Sequence, residues 1–112
     1  MGTKILEIIS ESMFYTLMAF RHTPMTGSEV TDWVSKKTQS RVNMGPGTLY
    51  TILSRFQHEG VIREISVDGR KRRYAITSKG ISVYENERVR LENCILDAAK
   101  EEEARAEREG SV

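Results

Sequence analysis

At 112 residues and 12.8 kDa the chain has the length of one domain, and its 38% hydrophobic and 29% charged residues suit a soluble protein whose core leaves little room for a buried active site. No apolar run reaches the ~18 residues of a membrane span, and "KILEII" is too short for a signal-peptide core and is interrupted by Glu7, so the cytoplasm is the expected compartment. A net charge of +1 says nothing by itself about an anionic partner, and the single cysteine, Cys94, permits no internal disulfide, in keeping with a reducing compartment.

From Ile5 to Phe20 apolar residues recur at spacings of one, three and four, which predicts one helix or two short ones with most of the surface covered. His22, Thr23 and Pro24 break it. The next helix starts at "TGSE", where Thr26 as N-cap and Glu29 three residues on form a capping box. Val30, Trp33 and Val34 give this helix one buried stripe, and Lys36 and Lys37 suit its C-terminal dipole. After the polar connection "TQSRVNM", Gly45 serves as N-cap and Pro46 as first residue of a third helix. Leu49, Ile52, Leu53 and Phe56 form its apolar face, and Gly60 ends it.

The hydrophobic period then changes to two. "VIREISV" and "RRYAIT" read as antiparallel strands joined at the "DG" of Asp68 and Gly69. From Thr77 or Ser78 to Arg108 a long helix follows, with Ile81, Tyr84, Leu91, Ile95 and Ala98 close to a heptad seam that is interrupted at Arg88. The chain holds too little to cover that seam, so a second copy of the same helix is its expected cover. Beyond Ala99 the segment has no large apolar side chain and is expected to be solvated and frayed, with residues 109–112 a disordered tail.

This order of elements predicts a mainly α fold with a small β-hairpin: a winged helix-turn-helix over residues 1–77, then a C-terminal dimerisation helix over 78–108. The apolar residues near the N-terminus are expected to join the dimer interface. Charge is distributed to match. Residues 41–73 carry net +4 and residues 74–112 net −3, which suggests a local site for a polyanion. The third helix turns Thr48, Tyr50, Thr51, Ser54 and Arg55 away from its apolar face, short donors and a cation of the kind that reach bases and phosphates. Arg70, Lys71, Arg72 and Arg73 crowd the hairpin turn and the strand after it, where they repel one another unless an anion is present.

"GTLYTILSRFQHEGVI", a basic wing and "RRYAITSKG" together closely resemble the PadR family of bacterial transcriptional regulators. That family shows a G-T-L-Y recognition helix, then R-x-L/F-x-x-x-G-L/I, then a wing ending Y-x-L-T-x-x-G; "MFYTLMAF" resembles its first helix, and the likeness spans roughly residues 12 to 84. It departs at Gly27 and Ser28, where members commonly have Gly-Tyr, and at Arg73, where a second aromatic is frequent. The resemblance implies a homodimeric repressor of the small subfamily with a single C-terminal helix. It implies a double-stranded DNA operator of two-fold symmetry and a small hydrophobic or aromatic effector near the dimer interface.

Other readings stand beside this one: a winged helix used as a protein-interaction module, and an architectural DNA binder without sequence preference. Trp33 reads as core in preference to a stacking platform for an aromatic effector, and Cys94 as a buried small residue in preference to a redox thiol. His22 and His58 have no partner at ligand spacing, so neither metal nor cofactor is expected, and no phosphate-binding or hydrolase motif suggests an enzyme.

Overall fold

The computed structural model describes residues 8–110. Its elements in chain order are α1 (Glu11–His22), β1 (Met25–Thr26), α2 (Gly27–Lys37), α3 (Pro46–His58), β2 (Ile62–Asp68), β3 (Lys71–Ile76) and α4 (Ser78–Gly110). The expected helical pattern at Ile5 and Leu6 and the role of the N-terminal residues in an interface lie largely outside the described residues. Where the chain is described, Ile8 and Ile9 are not helical; α1 begins later, because Ser10 caps it by accepting from the Met13 N–H at 3.1 Å. Met13, Thr16, Leu17, Ala19 and Phe20 then face inward.

The capping box of α2 is formed as the sequence indicates: the Thr26 hydroxyl accepts from the Glu29 N–H, and the Glu29 carboxylate accepts from the Thr26 N–H at 2.9 Å. A turn that the sequence marks only as polar joins α2 to α3. Gln39 and Ser40 both take left-handed φ values of 52° and 63°, uncommon for residues with a Cβ. Hydroxyl and amide side chains hold them there. Thr38 donates to the Val34 carbonyl at 2.9 Å and accepts from the Val42 N–H at 3.0 Å, while Asn43 donates to the Ser40 carbonyl at 2.6 Å.

Gly45 and Pro46 start α3, and Leu49, Ile52, Leu53 and Phe56 are its buried residues. Its end is a Schellman motif. Gly60 sits at φ 74°, its N–H donates to the Gln57 carbonyl at 3.1 Å, and the Val61 N–H donates to the Phe56 carbonyl at 2.9 Å. The chain thereby reverses into β2 with the Phe56 and Gln57 carbonyls paired.

The expected two-stranded hairpin has a third member. β1 pairs antiparallel with β3 in the order β1-β3-β2, with Met25 opposite Tyr74 and Thr26 opposite Arg73. A two-residue strand carries no periodicity, so this pairing could not be read from sequence. The hairpin turn is one residue later than the "DG" signal places it: Asp68 pairs with Lys71, and Gly69 (φ 62°) and Arg70 make the turn. A bulge between Glu64 and Ser66 also breaks the strict alternation of β2 at Ile65.

Phe20, Phe56, Leu17, Val30, Val34 and Val61 are the largest fully buried side chains, so the core is shared by all of α1, α2, α3 and the root of β2. Thr77 caps α4, its hydroxyl accepting from the Gly80 N–H at 3.1 Å and donating to the Gly60 carbonyl at 2.7 Å. The first turns of α4 pack on α1, where Tyr84 stacks on Phe14 at 5.3 Å between ring centroids. Its remainder projects from the body, which gives the molecule extents of 68 × 35 × 22 Å. The helix persists through Gly110, past Ala99 and into the 109–112 stretch expected as a disordered tail; Ser111 and Val112 lie outside the described residues. Ion pairs of Arg105 with Glu102 and Glu109, three and four residues away, accompany that extension.

Gly80 has no room for a side chain, since a Cβ there would lie 2.2 Å from the Val61 carbonyl oxygen and 2.6 Å from Ile76 Cγ1. Gly80→Ala is expected to lower unfolding free energy by about 1 to 3 kcal/mol in urea denaturation. Gly47→Ala, with nothing within 4 Å of the added atom, should leave it within about 0.5 kcal/mol.

Candidate nucleic-acid interface

Burying Leu49, Ile52, Leu53 and Phe56 forces the rest of α3 outward, so Thr48, Tyr50, Thr51, Ser54 and Arg55 are all exposed along one side. Tyr50 stands clear of the body at 69% exposure. The Thr51 hydroxyl donates to the Gly47 carbonyl at 2.9 Å, which leaves its lone pairs facing out as acceptors.

The hairpin projects beside this face, and its cations divide into two kinds. Among the described residues Arg70 and Lys71, at the turn, have no carboxylate partner. Arg72 pairs with Glu64 across the strands at 3.2 Å while staying well exposed. Arg73 is engaged differently: one guanidinium nitrogen lies 3.0 Å from the Glu29 carboxylate and 3.3 Å from the Pro24 carbonyl. It therefore ties β3 to the cap of α2, a role that sequence reasoning, which grouped it with the other three, did not separate. The hydrogen bond from the Thr26 amide and the positive charge of Arg73 hold the Glu29 carboxyl below its ordinary value, against a desolvation that acts the other way. A lowered carboxylate stabilises the tie above the usual carboxylate range and loses it as pH falls through the lowered value.

Between the start of α2, α3 and the hairpin lies a cleft of about 550 Å³ that the sequence offers no signal for. Met44, Leu49, Leu53 and Tyr74 line it, as do Arg70, Lys71 and Arg72. Burial pushes the Tyr74 hydroxyl above its ordinary value, so the ring remains neutral.

The helical seam divides at Arg88. On the body side Ile81 is half-buried and Tyr84 is covered by Phe14 of its own chain. On the far side Leu91, Ile95 and Ala98 are exposed, joined by Leu96, which the seam omitted; Ile95 is 71% and Leu96 56% exposed. Arg88 itself is neutralised by Glu85 at 3.0 Å and by Glu92. Arg88, Leu91, Glu92, Ile95 and Leu96, with Phe14, line a groove of about 400 Å³.

Trp33 packs against the core, with His22 stacked on it at 5.6 Å and the Lys37 ammonium 5.7 Å from its ring centroid. It does not line the cleft. Cys94 is exposed on α4 in the single chain, on the stretch that carries the uncovered part of the seam. Arg90, one turn away, donates to its sulfur at 3.8 Å. Among the described residues no cluster of His, Cys, Asp and Glu could hold a metal ion, and no helix is long and apolar enough to cross a membrane.

The family model described as "Transcriptional regulator PadR-like family" matches residues 16–86, which contain α2, α3 and the whole hairpin. A transcriptional regulator from Clostridium thermocellum has a similar structure, with a TM-score of 0.72 and 22% identity over 83% of this chain and 97% of that one. RosR from H. salinarum superimposes with a TM-score of 0.64 and 17% identity over 84% of this chain and 96% of that one. PadR from Bacillus subtilis, solved in complex with operator DNA, gives a TM-score of 0.62 and 17% identity over 70% of this chain and 47% of that one. At such identities the likeness shows a shared winged-helix fold. No curated protein matches the chain by sequence.

The two kinds of wing cation should separate in a titration against duplex DNA at several salt concentrations. Arg70→Ala is expected to shallow the plot of log affinity against log salt by about one unit, the loss of one phosphate contact. Arg73→Ala should weaken binding while its plot stays parallel to that of the unsubstituted protein, because its guanidinium is committed to Glu29.

Proposed function

The chain belongs to the PadR-like family of transcriptional regulators, and on that premise we propose that it is a sequence-specific, ligand-responsive repressor that acts as a homodimer on double-stranded DNA. The observation that carries this reading is the side-by-side placement of two surfaces: the hydroxyl-rich outer face of α3 and a hairpin tip whose Arg70 and Lys71 have no partner among the described residues.

In this reading α3 enters the major groove, with Thr48, Thr51 and Ser54 near base edges and phosphates and Tyr50 and Arg55 on the backbone. Arg70 and Lys71 neutralise phosphates on the flank, and Arg72 exchanges Glu64 for a third. Arg72 and Glu64 are an exposed pair, and an exchange of that kind costs little because such pairs contribute only about 0 to 1 kcal/mol. A protein that acts on the cell's DNA in this way works in the cytoplasm.

The dimer follows from what α4 leaves uncovered. Leu91, Ile95, Leu96 and Ala98 form an apolar strip on a helix that leaves the body, and a second copy of the helix covers it with matching side chains. Two recognition helices held this way reach successive major grooves about 34 to 36 Å apart, and the operator then has two-fold symmetry. The Bacillus subtilis PadR in its operator complex supports the same use of the fold.

The deciding experiment is a titration of the purified protein against pooled genomic fragments at two salt concentrations, with the recovered DNA sequenced. A shared inverted repeat bound by two chains is expected. Salt-sensitive recovery without a shared sequence would replace this reading with an architectural one, and recovery of nothing at either salt would replace it with a protein-interaction module.

Ile95→Glu combined with Leu96→Glu should give a monomer by sedimentation, with an unchanged circular-dichroism melt of the winged-helix body. Its operator affinity should fall by at least about a hundredfold, because the second half-site no longer binds as part of one molecule.

A further inference from the structure

We propose, resting on the regulator reading, that Gly47 is a specificity-determining residue: the gap it leaves on the outward face of α3 receives the 5-methyl group of a thymine in each half of the operator.

The other described glycines have a reason within the fold. Gly60 and Gly69 take φ values of 74° and 62°, which residues with a Cβ rarely adopt. A Cβ at Gly80 would strike the Val61 carbonyl, and one at Gly27 would lie 3.3 Å from Leu49 Cδ2. Gly45 caps α3 and Gly110 ends α4, positions where glycine is common. Gly47 has none of these reasons. It is the second residue of α3, and an added Cβ would meet nothing within 4 Å. A helix by itself favours alanine over glycine. An open glycine inside one is explained by a molecule that comes closer than a Cβ would allow.

The place of the gap points to DNA. Steps of three, four and seven residues from Gly47 reach Tyr50, Thr51 and Ser54, so the four share one side of the helix, and all are exposed. Tyr50, at 69% exposure, stands beside the gap. Gly47 lies in the first turn, and the N-terminal residues of a recognition helix are those that meet base edges in the major groove.

The chemistry of the gap selects its occupant. The Gly47 carbonyl takes the Thr51 N–H as the helix requires and also accepts from the Thr51 hydroxyl at 2.9 Å, so both its lone pairs are engaged. The free N–H groups of a first turn point along the helix axis and not to its side. What the gap itself presents is a Cα and an occupied carbonyl, with no donor for a phosphate and no acceptor for an exocyclic amine. A methyl group suits such a place, and the methyl that base pairs carry in the major groove is that of thymine.

The test takes the inverted repeat recovered from genomic fragments and replaces its thymines by deoxyuridine, one position at a time in both half-sites. That change removes the methyl and keeps every hydrogen-bonding group. Affinity of the full-length protein is read by fluorescence anisotropy. At one position uracil is expected to weaken binding about fourfold per half-site, about fifteenfold for the whole repeat. Gly47→Ala fills the gap with its own methyl. It should bind the thymine repeat at least about tenfold more weakly and the uracil repeat as well as or better than the thymine one, with an unchanged thermal melt. The uracil series uses the unsubstituted protein and so decides independently of the variant. A uracil preference that is the same in the variant and the unsubstituted protein places the methyl against another residue and overturns the role of Gly47. A loss in the variant that is equal for both repeats and for unrelated duplex shows approach by the sugar–phosphate backbone and overturns the thymine contact. An operator in which no thymine methyl matters overturns the proposal and leaves the regulator reading standing, whereas recovery of no shared sequence overturns both.

Discussion

The peptide group of Val61 is the joint on which the other elements are hung. Its N–H closes the Schellman end of α3 on the Phe56 carbonyl, its carbonyl accepts from the Thr77 N–H at 3.0 Å, and its side chain is fully buried. Gly80 lets α4 lie directly against that same carbonyl. One residue thus fixes where the third helix stops, where the hairpin begins and where the long helix departs. A shift there would change the angle between the α3 face and the hairpin at one end and the direction of α4 at the other. The two surfaces that DNA binding and dimer formation would use are therefore set by one piece of backbone geometry.

Electrostatics are layered on this frame with different degrees of commitment. Arg73 and Glu29 bind the hairpin root to the helix-turn-helix motif, and Thr26 serves both groups, since its amide donates to Glu29 while its strand pairs with Arg73. Further out the cations become less occupied: Arg72 has a cross-strand partner and Arg70 and Lys71, among the described residues, have none. Cations without partners at a protruding tip repel one another and gain from any anion that approaches. Cations at the root are neutralised and act through geometry.

A similar gradient runs along α4. Near the body its apolar residues meet Phe14 and the core; past Arg88 they meet solvent, and its charges pair mostly along the helix itself, as Arg88 with Glu85 and Glu92 and Arg105 with Glu102 and Glu109. Such i, i+3 and i, i+4 pairs support a helix that has little tertiary packing. They also explain why α4 continues through a segment whose lack of large apolar side chains suggested fraying. Helix continuation there depends on local charge pairing, not on burial.

What the sequence determined by itself is whatever depends on neighbours along the chain. The capping box at Thr26 and Glu29, the Gly45-Pro46 start, the Gly60 stop and the apolar stripe of α3 all arise from contacts within four or five residues, and each is present. The α3 motif likewise carried the family resemblance, which the family model bears out. Only the tertiary structure decided matters that join distant residues. It placed β1 beside β3, moved Arg73 from the exposed cations to the root of the hairpin, covered Tyr84 with Phe14, exposed Cys94 and opened the cleft beside Leu49. The physical reason is the same in each case: caps, stops and stripes are written in local spacing, whereas a two-residue strand, an ion pair between residues 29 and 73 and the shape of a void between three elements have no period along the chain and exist only once the core has closed.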